Sequence, residues 1–292
     1  MRILVTGGAG FVGTNLIKRL LKDGYDVCSY DNYSAGFEKN EQQGCEYYVK
    51  DLRGDFKWGK FDIVFHLAAL ARIQPSLYDP YLTLRNNFDS TLNVLEYANA
   101  IENDTKVIYA GSSSKHHGLY KSPYAWSKCA GEGLCKLYSS VYDLKTTICR
   151  FYNVYGPHQI TEGTYSTVIG IFENQYKNNK PLTIVGNGEQ RRDFTHINDI
   201  VDGLISCMNV YSGQFNGETL ELGSGKNYSI NEIASMFYGE LNDKCVKYLP
   251  KRLGEYDSTL CDIKQANNLI NYQPKVDLKN YIKHWVEENK KK

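Results

Sequence analysis

The sequence predicts an α/β fold, a doubly wound parallel sheet joined to a smaller, discontinuous C-terminal α/β domain, and three observations carry that prediction. Over the first half, short apolar runs alternate with longer amphipathic segments, the pattern of parallel strands joined by helical crossovers. A glycine cluster, Thr6-Gly7-Gly8-Ala9-Gly10-Phe11-Val12-Gly13, stands where the first apolar run gives way to the first amphipathic segment. After Gly156 the alternation weakens, which marks entry into a second unit. Strands are expected at Arg2–Thr6, Asp26–Tyr30, Cys45–Val49, Ile63–Leu67, Lys106–Ala110 and Thr146–Phe151, with helices at Phe11–Lys22, Thr83–Ala100 and Tyr124–Tyr142 between them. Beyond them the spacing predicts a helix over Ser166–Lys177, a strand over Leu182–Val185, and helices over Ile197–Val210, Ile230–Leu241, Asp262–Ile270 and Leu278–Glu288. The first domain is expected to span residues 1–155 and to regain roughly 190–222, leaving 156–189 and 223–292 to the second.

Composition narrows the function. The 292 residues carry 34 Lys+Arg against 33 Asp+Glu, a formal net charge of +1, which gives no electrostatic basis for a nucleic-acid or anionic-membrane partner. No apolar run approaches the roughly 20 residues of a membrane helix. The eight cysteines are scattered, without a C-x-x-C pair or a Cys/His cluster at zinc spacing, so reduced thiols and no metal are expected. Met1 leads directly into the first strand pattern, from which a cytoplasmic location is expected. The terminal Asn289-Lys290-Lys291-Lys292 reads as a solvated end.

The glycine cluster suits a dinucleotide. A tight strand-to-helix turn lets a pyrophosphate approach the helix N-terminus, and Asp31 ends the second strand about 20 residues later, as the Rossmann-type fingerprint requires. A carboxylate at Asp31 would accept from ribose hydroxyls and repel a 2′-phosphate, which favours NAD over NADP. Gly7, Gly10, Phe11, Val12 and Gly13, with Asp31 and its neighbour Asn32, make up this part of the expected cofactor site.

The chemistry is suggested by Tyr124 and Lys128, an i, i+4 pair that one helix face would hold together. Tyrosine, with a pKa of about 10, is a poor base near neutrality, and an adjacent ammonium favours the phenolate. One strand earlier lies the serine run Ser112-Ser113-Ser114.

The glycine spacing, the Tyr124/Lys128 pair and the serine run together resemble the extended short-chain dehydrogenase/reductase family, the NAD-dependent nucleotide-sugar epimerases and dehydratases, over nearly the whole chain. The resemblance implies further cofactor contacts at Asp51-Leu52, at Leu67-Ala68-Ala69 after His66, and at Asn87, with Tyr124 and Lys128 beside the nicotinamide. It assigns the catalytic hydroxyl to Ser114, and it implies that Tyr124 deprotonates a sugar hydroxyl at C4 while NAD takes the hydride and later returns it. It places Asn153, Arg192, Arg252, Glu255 and Thr259 against a nucleotide-diphosphate sugar, together with Arg72, and it implies a homodimer. Within Arg191-Arg192 the second arginine is preferred, since it directly precedes Asp193-Phe194 as the family motif does.

The chain departs from that pattern after the serines. Tyr124 follows Ser114 by only ten residues, and Lys115 and His116 stand where dehydratases carry an Asp-Glu pair. A 4-epimerase is therefore expected, acting on a UDP-hexose, a UDP-N-acetylhexosamine or a UDP-uronate; a 4,6-dehydratase or decarboxylase and a non-catalytic NAD-binding regulator are the alternatives. Lys115 and His116 are expected at the C5/C6 side of the sugar, where they would suit a uronate carboxylate. A small side chain at Thr259 would leave room for an N-acetyl group.

Overall fold

The computed structural model describes residues 1–55, 57–100, 105–209 and 216–290. Seven parallel strands form the main sheet: β1 (Arg2–Thr6), β2 (Asp26–Asp31), β3 (Glu46–Val49), β4 (Ile63–His66), β5 (Lys106–Ser112), β6 (Thr146–Phe151) and, much later in the chain, β11 (Glu218–Leu222). Their order is β11-β6-β5-β4-β1-β2-β3. The direction of winding reverses between β1 and β4, so a crevice opens at the carboxyl ends of those two strands, where open α/β sheets bind ligands.

Helices cover both faces. On one, α1 (Phe11–Lys22) and α6 (Ile197–Asn209) bury Leu16, Ile17, Leu20, Ile200 and Leu204 against Ile3, Val5 and Phe65. On the other, α3 (Pro80–Ala100) and α4 (Pro123–Tyr142) bury Val94, Leu95, Cys135 and Tyr138 against Leu4, Val64 and Ile148. The strands alternate faces residue by residue, which is why Ile3 and Val5 join one core and Leu4 the other. Helix α4 starts one residue before the predicted Tyr124, because Ser122 caps it by accepting from the Ala125 amide and Pro123 occupies its first turn.

A third core belongs to the smaller unit. It joins Tyr155, Phe172, Leu182, Ile184, Phe194, Ile233, Phe237 and Ile282 from β7 (Val154–Tyr155), α5 (Val168–Lys177), β8 (Leu182–Val185), α7 (Ile230–Tyr238) and α9 (Leu278–Asn289). Three two-stranded pairings complete it: β7 with β10 (Thr195–His196), β9 (Arg191–Asp193) with β12 (Asn227–Ser229), and β8 with β13 (Val246–Leu249). Helix α8 (Lys264–Ile270) lies beside β11 and adds Ala266 and Ile270 to the first core. The short helix α2 (Ile73–Tyr78) follows β4.

Several expected boundaries move by a residue or two. β4 ends at His66 and β5 runs on to Ser112, while α5 begins at Val168 behind the Thr167 cap. β11, α2 and the short strands were not expected from the sequence. Val210, Lys291 and Lys292, which complete two of the sequence expectations, lie outside the described residues. Among the described residues no helix is long and apolar enough to cross a membrane, and all eight cysteines are unbridged.

Candidate active site

A cleft of about 910 Å³ runs from the β1–α1 turn across the ends of β4 and β5 to the smaller unit, large for a single drug-sized ligand and ample for a dinucleotide beside a second substrate. At one end the turn demands glycine. Gly7 has φ +72°, and a Cβ there would lie 2.9 Å from the Ala68 Cα; one on Gly13 would lie 2.2 Å from the Gly7 carbonyl oxygen. Gly10 caps α1 without any side-chain acceptor, and no acidic residue occupies the first turn, so the helix N-terminus keeps its positive end for an anion. Phe11 and Val12 line the cleft at this point.

The Asp31 carboxylate is buried and pins the turn, accepting from the Ala9 amide at 2.9 Å and the Tyr33 amide at 2.8 Å. Burial raises its pKa and these amide bonds oppose the rise. Asp51 pairs with Arg53 at 2.6 Å, which with its hydrogen bonds lowers the Asp51 pKa to about 2, and Asn32 contributes a further bond. Asp31, Asn32, Asp51, Leu52, Leu67, Ala68 and Ala69 all line the cleft, whereas Asn87 does not.

Asn87 instead holds the framework. Its carbonyl oxygen accepts from the Leu70 amide at 2.8 Å, and its amide nitrogen donates to the Ser127 hydroxyl at 2.9 Å, tying α3 to the strand end and to α4 one turn from Tyr124. A directed chain runs beside it. The Ala68 amide donates to the Thr6 hydroxyl, which donates to His66 Nδ1; His66 Nε2 then donates to Thr91, whose hydroxyl donates to the Asn87 carbonyl. His66 is 1% exposed, and burial with the nearby Lys128 charge lowers its pKa to about 3, so it is neutral in the fold. Because the unfolded histidine titrates near 6.5, the unfolded chain binds a proton that the folded chain refuses between pH 6.5 and 3. The contribution is complete above 6.5 and is lost as pH falls, at about 1.4 kcal/mol per unit. Urea unfolding at pH 6.5 and 5.5 is expected to show that loss in the wild type and a flatter dependence in His66→Gln; equal slopes would remove His66 as the cause.

Tyr124, in the first turn of α4, lines the cleft together with Ser112, the last residue of β5, which favours its phenolate form. Ser112 Oγ also lies 2.9 Å from Ser114 Oγ. Ser112 and Ser114 both line the cleft with Tyr124: β5 continues two residues past its predicted end to Ser112, and the chain then enters a short 3₁₀ turn, Ser113–His117. Burial pushes the phenol above its ordinary pKa, opposed by Ser112 and by the Arg72 charge. Lys128, one turn further along α4, is 5% exposed, packs its ammonium 4.3 Å from the centre of the Tyr109 ring, and is brought down to about 8 by burial.

The smaller unit supplies the other wall. Asn153 lines the cleft and donates to the Asp193 carbonyl at 3.0 Å. Arg192 lines it with an ion pair to Glu255 at 3.1 Å, while Arg191 is held by Asn227 and Glu232. Arg252 lines it on the segment whose Leu253 carbonyl accepts from Gln74 of α2. Thr259 lines it too, but its hydroxyl accepts from the Asp193 amide. Arg72, ahead of α2, donates to the Tyr165 and Ala71 carbonyls.

Lys115 and His116 are not brought to the cleft. The Lys115 ammonium lies 3.3 Å from Glu132 and His116 Nε2 lies 2.7 Å from Glu221. Those carboxylates also grip the buried Arg150, at 2.7 and 2.6 Å. Two inward-facing acids behind β5 and β6 offer the 3₁₀ turn counter-charges that a solvent-filled cleft cannot, so both side chains turn that way. Sequence reasoning missed Glu132, although its place four residues after Lys128 on the same helix face was visible.

A parallel sheet with this switch point, and a tyrosine and lysine one turn apart on the helix after β5, define the extended short-chain dehydrogenase/reductases. The model of one of their families, the NAD dependent epimerase/dehydratase family, matches residues 3–223, and the chain belongs to it. A UDP-glucose 4-epimerase of Mycolicibacterium smegmatis is 31% identical over 316 residues, covering 98% of this chain and 98% of that one. The UDP-glucose 4-epimerase of Thermotoga maritima, solved with UDP-glucose, superposes with a TM-score of 0.89 at 27% identity, covering 98% of each chain. The UDP-glucuronic acid 4-epimerase of Bacillus cereus, solved with UDP-glucuronic acid and NAD, gives 0.85 at 29%, covering 99% of each. The chain is an NAD-dependent enzyme of the nucleotide-sugar epimerase family.

Proposed function

We propose that the protein is a UDP-sugar 4-epimerase working through a transient 4-keto sugar. The observation that carries this reading is the meeting of Tyr124 with Ser112 and Ser114 in one cleft whose one end is the glycine turn and whose other wall bears Arg192 and Arg252. The residues fit NAD. The Gly7 and Gly13 cradle leaves no room for a Cβ, the α1 N-terminus is free for the pyrophosphate, and Asp31 suits the ribose hydroxyls, with Asp51 toward the adenine. When bound, NAD supplies a hydride acceptor and donor.

The chain's own residues do the rest. Tyr124 takes the C4 hydroxyl proton and returns it, and Ser112 holds that oxygen in line. The Arg72 charge favours the phenolate against the burial that disfavours it. Arg192 and Arg252 hold the diphosphate, their forked donors matching its oxygens, and Asn153 adds an amide. Ser112→Ala is expected to lower kcat by about a hundredfold and Ser114→Ala by less than about tenfold. The reverse order in steady-state rates would return the catalytic hydroxyl to Ser114.

The function itself is tested by incubating the protein with UDP-, dTDP- and GDP-sugars. A UDP-sugar converted to its C4 epimer without mass change supports the reading. Loss of water or carbon dioxide indicates a dehydratase or decarboxylase, and tight NAD binding without product indicates a regulator.

Nucleotide binding is assigned to residues 1–155, with the return of α6 and β11 to the main sheet. That return is drawn at roughly 190–222, the stretch that holds α6 and β11. A homodimer is supported by Trp126, Ala130, Gly133, Leu137 and Val141. They follow at i, i+4, i+7, i+11 and i+15 along the outer face of α4, with Trp126, Leu137 and Val141 exposed. Sedimentation equilibrium is expected to give twice the monomer mass; a monomer at micromolar concentration would exclude the pairing.

A further inference from the structure

We propose that Arg72 is the seat of an anionic substituent on the sugar, a carboxylate on the ring carbon next to the reacting one, so that the preferred substrate is a nucleotide-linked uronate. The inference rests on the reading of the cleft as a nucleotide-sugar site.

Arg72 is a cleft-lining cation that forms no ion pair among the described residues. Its Nε donates to the Tyr165 carbonyl at 2.9 Å and its Nη1 to the Ala71 carbonyl at 3.1 Å. These two neutral acceptors fix the guanidinium plane without neutralising it, and among the described residues no carboxylate pairs with it. Arg192, across the cleft, shows the contrast, since Glu255 lies 3.1 Å away. A guanidinium has five N–H donors, and two used leave three, enough for a two-pronged grip on a carboxylate. Burial disfavours the Arg72 charge. An arginine does not escape that cost by releasing its proton, so the site gains most from an arriving anion.

The location selects which anion. Arg72 and Tyr124 line the same stretch of cleft and each feels the charge of the other. A group held by Arg72 therefore sits beside the hydroxyl that Tyr124 addresses, whereas the diphosphate has Arg192 and Arg252 on the smaller unit. The two cations that the sequence offered for a uronate, Lys115 and His116, are committed to Glu132 and Glu221. Arg72, on the segment between β4 and α2, takes over that role.

The test uses the full-length protein with NAD bound and carrying Tyr124→Phe, so that ligands persist, and titrates it calorimetrically with UDP, UDP-glucose and UDP-glucuronate. UDP-glucuronate is expected to bind at least tenfold more tightly than UDP-glucose. Adding Arg72→Met should erase that preference, and Arg72→Lys should keep part of it. Equal affinity for the two sugars before any change at Arg72 would overturn the proposal without recourse to a variant. So would a preference that survives Arg72→Met, or a loss of UDP affinity as large as that of UDP-glucuronate, which would put Arg72 on the diphosphate. If none of the three ligands binds, the nucleotide-sugar reading falls as well; if all bind without preference, only the role of Arg72 falls.

Discussion

Tyr124→Phe is expected to lower kcat by roughly three orders of magnitude, about 4 kcal/mol of transition-state stabilisation, with NAD still bound. The substitution removes one oxygen and nothing else. The ring stays on the first turn of α4, where Ser122 caps the helix and Asn87 holds Ser127. The cofactor contacts of the glycine turn and Asp31 lie on other elements, so the ultraviolet signature of bound nucleotide should persist. What is lost is the phenol that α4 brings into the cleft with Ser112 and Ser114. The remaining hydroxyls, of Ser112 and Ser114, ionise far too weakly to replace it. Single-turnover rates within tenfold of the wild type would place the base elsewhere.

Much of this site could be read from the sequence, and what could not has physical reasons. The glycine turn, Asp31 and the Tyr124/Lys128 pair were legible because their meaning is local, resting on a tight turn, a strand end and one helical repeat. Of Arg191 and Arg192 the structure brings Arg192 to the cleft, since alternate residues of an extended segment face opposite ways. The end of β5 was set short because three identical side chains carry no register, and only the pairing of β5 with β6, which runs to Ser112 opposite Phe151, shows where the strand ends. Lys115 and His116 were misplaced for a different reason. The acids that draw them, Glu132 and Glu221, are 17 and 105 residues away in the chain. β11 escaped notice because Glu218–Leu222 is a short edge strand with polar residues in alternation. Its partner β6 lies some seventy positions earlier.

The same distant organisation makes Asp193→Ala the most damaging change expected for stability, about 3–5 kcal/mol. Asp193 is 0% exposed. Its carboxylate accepts from the Ser224 amide and hydroxyl at 2.8 and 2.7 Å, and from the Gly225 and Cys261 amides at 3.0 and 3.1 Å. Burial raises its pKa and this ring of donors works against the rise. One side chain on β9 thereby fastens the loop after β11 and the segment leading to α8. Alanine would leave three amides, the buried one of Cys261 and the half-buried ones of Ser224 and Gly225, without their acceptor, each costing up to about 1–3 kcal/mol, and relaxation with solvent access brings the sum to the range given. Asp193 also donates its own amide to Thr259, next along the chain from the arginine that lines the cleft. The damage should therefore be uneven. Nucleotide-sugar affinity should fall with stability, while NAD affinity, seated on the first two cores, should fall much less in the fraction that remains folded. Urea unfolding monitored by tryptophan fluorescence measures the first effect and NAD titration the second. A loss below about 1 kcal/mol would show that the loops around β9 hold without this carboxylate.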